Sequence, residues 1–271
     1  MIDHNEFERL LDAWDQCLVG VDRMPPHDRL KDHSFKLTKR AALIRQRDAL
    51  RAALSMSRTG HGAFAVTFLR PAFEELVWIE YLNKHKSEAD ELIILILREA
   101  VGKSLKAQRD YISPKGMVAA GIPMSFVKRT LARQGVVKEA LLSMGRKLGW
   151  MSGSNEQTGP SLKHVATSVG RIKEYNFLYH GTSRFVHFSV AELFRRAWGH
   201  ADDVTISTKH FERYWVDFAL YWGSYIFLNL MSACESEIDA PIPQEVGATV
   251  LEVIESQLKQ VPIITGGELN L

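Results

Sequence analysis

The chain has 271 residues, of which 46% are hydrophobic and 24% are charged, and these proportions are typical of a globular protein. They exclude a disordered, collagen-like or disulfide-framework chain, and a folded chain of this size buries enough surface to need no metal or disulfide staple. The two cysteines, Cys17 and Cys234, lie far apart in apolar helical patterns. They predict buried thiols in a reducing cytoplasm, and we expect no metal and no cofactor.

Apolar residues recur at every third or fourth position almost throughout, and alternating β-branched runs are nearly absent. This pattern predicts an all-α fold, a single large helical bundle of about eight to ten helices. Residues 188–204 show no clear period. The predicted helices cover residues 3–23, 35–58, 63–84, 87–112, 125–148, a short segment from Ser161, 171–187, 209–237 and 243–260.

The first two predicted helices, residues 1–58, are expected to form an N-terminal pair that can be an appendage to a main bundle of residues 59–271. The segment 149–160 is rich in Gly, Ser, Asn and Gln, and it is the most loop-like part of the chain. It is the natural boundary if the chain has two subdomains. If polar side chains from both sides of it meet, it is a connection within one bundle.

One apolar segment, residues 214–233, is long enough to span a bilayer. Asp217, Ser224 and Asn229 interrupt it, which favours a buried central helix over a membrane span. The acidic N-terminus has no cleavage site after an apolar stretch, so we expect no signal peptide, a cytoplasmic location and no membrane partner.

Positive charge is concentrated in two stretches, although the formal net charge is only +2. Residues 23–58 have a net charge of +7 and residues 98–149 a net charge of +8, which leaves −13 for the rest of the chain. Such patches can face RNA or an acidic protein. The alternative is that these are solvated helix faces paired with acidic helices elsewhere. Both stretches lack the stacking aromatics of a single-strand binder.

The first polar motif is Arg70-Pro71-Ala-Phe-Glu74, inside a helix that is apolar almost all round. Arg70 and Glu74 are four residues apart and can pair on one helix face. If the helix continues through Pro71, the pair is buried and needs further hydrogen bonds. If the helix begins near Arg70, Pro71 lies in its first turn and the pair is at the surface.

The second polar motif places Tyr175, Tyr179, Ser183 and His187 at intervals of four residues, in one row along a helix. Arg184 lies in the neighbouring row. One interpretation is a core-facing stripe whose polar tips find backbone partners. The other is a site in which imidazole, hydroxyl and guanidinium groups supply a proton donor, an acceptor and an anion clamp.

Together the two motifs resemble those of an uncharacterised family of bacterial helical proteins catalogued only as a domain of unknown function. The matching positions are Arg70, Glu74, Tyr175, Ser183 and His187. The resemblance covers about residues 60–195, and this chain has Phe188 where the family often has Pro. The resemblance implies that the two polar rows face each other across a helical bundle, and it implies no established activity.

A third motif, Arg195-Arg-Ala-Trp-Gly-His200, is similar to the Arg-x4-6-His pattern of the HEPN ribonucleases. That resemblance implies RNA cleavage without a metal, by the Arg and His of a dimer. The alternative is a helix end with a cationic cap. Glu-x-x-His, HExxH, P-loop and GxGxxG motifs are absent from the sequence.

Two functions remain open on these residues, and they belong to different classes of protein. The first is an interaction or regulatory module in which Arg70, Glu74, Tyr179, Ser183 and His187 fix the helix register. The second is a metal-independent ribonuclease of defence or toxin type, which leaves a homodimer open. In that enzyme His187 or His200 would be the acid or base, and Arg184 or Arg195 would hold a phosphate.

Overall fold

The helices follow the predicted order along the chain. The structure is a computed structural model that describes residues 3–23, 32–151, 158–187, 189–194, 196–200 and 203–238. The helices are α1 (His4–Cys17), α2 (Ser34–Arg58), α3 (Leu69–Lys84), α4 (Lys86–Ala119), α5 (Met124–Ala132), α6 (Gln134–Leu148), α7 (Leu162–Ser168), α8 (Ile172–Glu174), α9 (His180–Val186), α10 (Val190–Phe194) and α11 (Glu212–Ala233). The prediction of an all-α bundle is confirmed.

Three short segments complete the helical framework. A 3₁₀ helix, Gly62–Phe68, leads into α3, and a second one, Glu235–Glu237, follows α11. A π-helical segment, Tyr175–Tyr179, joins α8 to α9. We call this continuous α8, π and α9 segment the 172–186 helix, and it agrees with the predicted helix 171–187.

Helix α11 is the central element of the core, as predicted for the apolar segment 214–233. It packs against α2, α3 and the 3₁₀ helix Gly62–Phe68, and Phe218, Ile226 and Leu230 are fully buried in it. Within the described ranges, no helix is both long and apolar enough to cross a membrane.

Helices α1 and α2 contribute to this same core. Trp14 of α1 is fully buried and lies 5.2 Å, ring centre to ring centre, from Phe227 of α11. Leu43 and Leu50 of α2 are buried with them. The division of the chain into residues 1–58 and 59–271 stays a prediction.

Several predicted helix boundaries were wrong, and local backbone geometry explains them. The first helix ends at Cys17 rather than at residue 23, because Gly20 has a φ of +82°. The fourth helix was predicted to end at residue 112, and Ser113, with a φ of 66° and a ψ of 165°, does interrupt it there. Pro114 lies in the first turn of a further helical run, which ends at Ala119 and was not predicted. The fourth helix begins at Lys86, one residue before its predicted start.

The predicted helix 125–148 is two helices, α5 and α6, which are separated at Arg133. Gly135 follows this break, and glycine is a poor helix former. The predicted helix 243–260 lies outside the described residues, as do residues 152–157 of the loop 149–160.

A β-hairpin occupies part of the stretch that showed no period. Strand β1 (Ala197–His200) pairs antiparallel with β2 (Asp203–Ile206). Trp198 of β1 packs edge-on against Phe211, with ring centres 5.0 Å apart. This hairpin was not predicted, because its strands of four residues each are too short to show a clear alternating pattern in the sequence.

Candidate functional site

The polar motif of α3 begins where the chain passes from a 3₁₀ helix into an α-helix. Pro71 is the third residue of α3, and in the first turn of a helix the missing proline N–H would have had no partner in the helix. Of the two predicted alternatives, the first-turn position is therefore the one observed. One helical turn separates Arg70 from Glu74, which puts both on the face towards the 172–186 helix.

Arg70 is the centre of a cluster of four side chains, which we call the Arg70 cluster: Arg70, Glu74, Tyr179 and His187. Its Nε donates to Oε1 of Glu74 over 3.0 Å, and its Nη2 donates to the hydroxyl of Tyr179 over 2.9 Å. Its Nη1 lies 2.6 Å from Nε2 of His187. A guanidinium group can only donate, so Nε2 of His187 is the acceptor in this contact.

The π-helical segment positions the tyrosine of this cluster. The rings of Tyr175 and Tyr179 stack with their centres 4.9 Å apart, and Cζ of Arg70 lies 4.3 Å from the centre of the Tyr179 ring. The guanidinium group therefore makes a cation–π contact as well as a hydrogen bond with Tyr179. Burial raises the pKa of Tyr175, so this phenol stays protonated at neutral pH. π-Helical segments are frequent at functional sites.

Two predicted site residues lie away from these contacts. The hydroxyl of Ser183 donates to the carbonyl oxygen of Tyr179, one turn earlier in its own helix. Arg184 is exposed on α9. The structure thus brings together Arg70, Glu74, Tyr179 and His187 of the predicted set, and Ser183 binds only its own backbone among the contacts described.

The Arg70 cluster lies beside an open groove of about 600 Å³. The side chain of Arg70 is 18% exposed and that of Glu74 is 38% exposed, and His187 is exposed. The cluster is bonded internally and still reaches solvent. None of the described lining residues comes from a basic stretch; they are Thr67, Arg70, Pro71, Glu74, Phe185, Val186 and His187.

A second cluster, which sequence reasoning missed, joins the same helices further along; we call Arg171, Glu80, Asn229 and Tyr225 the Arg171 cluster. Arg171 forms a bidentate pair with Glu80, in which both N···O distances are 2.6 Å. Its Nη2 also donates to Oδ1 of Asn229 over 2.8 Å. Burial acts to lower the pKa of Arg171, but the pair with Glu80 outweighs it and the pKa is raised.

Weak signals of the Arg171 cluster were present in the sequence. Glu80 stands alone between Ile79 and Tyr81 in an apolar helix, and Asn229 interrupts the apolar segment 214–233. A lone polar residue in such a helix is expensive to bury unless it has a partner. That partner, Arg171, is 91 residues away from Glu80, so no local pattern identifies it.

The first basic stretch is largely paired within the protein. Glu237 accepts from both Lys39 and Arg40 at 3.0 Å, and these bonds lower its pKa even though burial alone would raise it. Further ion pairs of this stretch reach α1 and α3: Arg45 with Glu75, Arg51 with Asp12 and Asp15, and Arg58 with Glu8. The alternative of basic helix faces paired with acidic helices therefore describes residues 32–58 well.

The remaining candidates are only partly described. Arg195 lies outside the described residues, and for His200 the structure gives the backbone, at the end of β1, and not the side chain. Cys17 and Cys234 are buried, as predicted, and burial raises the pKa of Cys234 to about 12. In the part of the chain that is described, no three His, Cys, Asp or Glu side chains are grouped to hold a metal ion.

Comparison with known proteins gives one match. The model of a family of unknown function (DUF5677) matches residues 40–204, a range that includes both polar clusters except for the α11 residues Tyr225 and Asn229. No curated protein and no solved structure matches the chain.

Proposed function

The chain belongs to DUF5677, a family of unknown function, and we propose that it is an interaction or regulatory module whose Arg70 cluster has an architectural role. One observation carries this proposal. Arg70 uses N–H groups on all three of its nitrogens for Glu74, Tyr179 and His187. A guanidinium group that bonds through all three of its nitrogens holds the two helices together.

The two clusters fix the register of α3 against the 172–186 helix and its two flanking residues, Arg171 and His187. Arg70 of α3 reaches Tyr179, and Glu80 of α3 reaches Arg171. A slip of one residue along a helix axis moves a side chain by about 1.5 Å and turns it by about 100°, which would break both sets of bonds. Buried polar groups of this kind specify one arrangement of helices more than they add stability.

The matched pair Arg70→Met and Arg184→Met tests the architectural role. Both changes remove a guanidinium group, but Arg70 is largely buried in the cluster whereas Arg184 is exposed. We expect Arg70→Met to lower the midpoint of urea unfolding and to speed hydrogen exchange in residues 172–186. Arg184→Met should leave both unchanged. Equal behaviour of the two variants would contradict the proposal.

A second candidate function is the metal-independent, HEPN-like ribonuclease of defence or toxin type. It is favoured by the exposure of His187, with its Nε2 2.6 Å from Arg70, at an open groove. An accessible imidazole beside a cation is a suitable pair for acid–base cleavage of a phosphodiester.

Labelled RNA separates the two functions. The interaction module predicts no cleavage by the wild-type chain. The ribonuclease predicts cleavage that His187→Ala abolishes, or that Arg195→Ala and His200→Ala abolish if the third motif is the site. Cleavage by the wild-type chain that one of these substitutions removes would replace the interaction module as the proposed function.

A further inference from the structure

A groove with an apolar floor and a cationic rim lies between α4, α5 and α6. Its volume is about 680 Å³. Most of the side chains that line it are apolar or basic. The apolar ones are Leu97, Val101, Phe126, Val136 and Val137, and the basic ones are Arg98, Arg129 and Arg133; we call this surface the arginine groove.

Contacts between α4 and the two following helices hold the groove open. Gln134, the first residue of α6, lies over Gly102 and donates to the carbonyl oxygen of Arg98 over 3.3 Å. A Cβ on residue 102 would lie 2.1 Å from the Gln134 side chain, so the glycine permits this approach. A small separate core of Leu105, Met117 and Val127 fixes α5 on α4. The groove is therefore a built feature of the fold.

The cations of the arginine groove differ from those of the first basic stretch in their pairing. Among the described residues, Arg98, Arg129 and Arg133 make no ion pair with a carboxylate, and all three are exposed. The ion pairs described near them belong to other cations of the stretch, such as Lys103 with Glu99. The groove therefore has an uncompensated positive charge.

The apolar floor is unusual for a surface that faces only water. Val136 is 73% exposed, Leu97 is 55% exposed and Phe126 is 39% exposed. Single exposed apolar residues are ordinary, but a group of them rimmed by charged residues marks an interaction surface. The groove thus offers apolar contacts and positive charge to the same ligand.

We propose that the arginine groove binds an acidic amphipathic helix of a partner protein. Such a helix places an apolar stripe in a hydrophobic groove and presents Asp and Glu to a basic rim. Nucleic acid fits less well, because Phe126 is the one aromatic residue among the described lining residues and single-strand binders stack successive bases on aromatic rings. The proposal rests on the interaction role proposed above, since it names the surface and the class of partner.

The test uses the full chain and a synthetic peptide probe. The probe is a fluorescein-labelled peptide of about 18 residues, five helical turns, with leucines on one face and glutamates beside them. A scrambled peptide of the same composition is its control. Anisotropy is measured at about 0.15 M salt, where the Debye length is about 8 Å and distant charges are screened.

Two double variants with equal changes in net charge locate the binding surface. Arg129→Glu with Arg133→Glu reverses the rim, and Lys106→Glu with Lys128→Glu reverses exposed cations of α4 and α5 that do not line the groove. We expect the rim variant to bind at least about tenfold more weakly and the control variant to change binding by less than about twofold. A peptide with lysines in place of the glutamates should bind the rim variant better than it binds the wild type.

Several results would overturn the proposal. They are no binding of the probe, equal binding of the scrambled peptide, equal weakening by the two double variants, and displacement of the probe by a tighter-binding single-stranded RNA. Self-association of the wild type that the rim variant abolishes would also overturn it, because the occupant would then be a second copy. None of these measurements involves Arg70 or RNA cleavage, so the groove can fail while the architectural role of the Arg70 cluster stands.

Discussion

Two glutamates of α3, Glu80 and Glu74, provide a sharp test of which cluster stabilises the fold. The side chain of Glu80 is 21% exposed, and it forms a bidentate pair with Arg171, whose side chain is 14% exposed. The side chain of Glu74 is 38% exposed and makes one bond to Arg70. Removing one partner of a fully buried pair costs about 3–5 kcal/mol. With the remaining exposure of both side chains, we expect Glu80→Gln to lower the free energy of unfolding by roughly 2–4 kcal/mol. Glu74→Gln should cost less than about 1 kcal/mol.

Urea unfolding of the two variants measures this difference. With an m-value near 3 kcal/mol/M, the loss expected for Glu80→Gln is a shift of the midpoint by about 1 M, and the shift for Glu74→Gln should be less than a third of that. The double variant Glu80→Leu with Arg171→Met should recover much of the loss, because it leaves no unpaired charge buried. Equal shifts for the two glutamates, or a double variant as unstable as the sum of its parts, would refute the reasoning.

Four further predictions concern single residues, and each is measured by urea unfolding. Tyr179→Phe removes the hydroxyl that accepts from Arg70 and keeps the ring, so it should cost about 1 kcal/mol; no loss would mean that the bond contributes nothing. Gly62→Ala places a Cβ 2.0 Å from Val216 and 3.0 Å from the backbone of Ser57 and should cost roughly 1–3 kcal/mol. Ser113→Gly relieves a φ of 66° with a ψ of 165° and should stabilise the protein by about 1 kcal/mol, an effect that Ser113→Ala should not reproduce. Glu237 has a lowered pKa in the folded chain, so its carboxylate stabilises the fold above its unfolded pKa of about 4.5 and loses that effect as the pH falls through the folded pKa. The difference in free energy of unfolding between wild type and Glu237→Gln should therefore shrink below pH 4.5. A difference that stays constant with pH would count against the ion pairs with Lys39 and Arg40.

Helical periodicity was sufficient to predict most of the framework, because a helix that packs on one core repeats its apolar face every 3.6 residues. Helix α2 was predicted over residues 35–58 and is observed from Ser34 to Arg58. The same spacing predicted that Arg70 and Glu74 pair, and it placed Tyr179 and His187 on one side of their helix. That these two side chains meet Arg70 had been implied only by the family resemblance, and the bonds of Arg70 agree with it.

Features that depend on distant residues or on backbone geometry could not be predicted in the same way. The pair of Arg171 with Glu80 joins residues 91 positions apart, and no spacing rule connects them. The π-helical segment Tyr175–Tyr179 has no sequence signature in the pattern of apolar residues. Helix α4 is interrupted at Ser113, as predicted from the proline that follows it, but the second helical run up to Ala119 lies outside every predicted helix.

The uneven distribution of charge acquires a structural meaning from the way the two basic stretches are used. In the first stretch, Arg45, Arg51 and Arg58 pair with carboxylates of α1 and α3. The positive charge of these three residues is therefore compensated by ion pairs within the protein. In the second stretch, the rim of the arginine groove has no such carboxylates among the described residues. Two stretches of nearly equal net charge thus differ in their internal pairing, and charge that is not paired internally is free to attract a partner. Within the part of the chain that the structure describes, the face formed by α4, α5 and α6 therefore presents arginines that have no internal carboxylate partner.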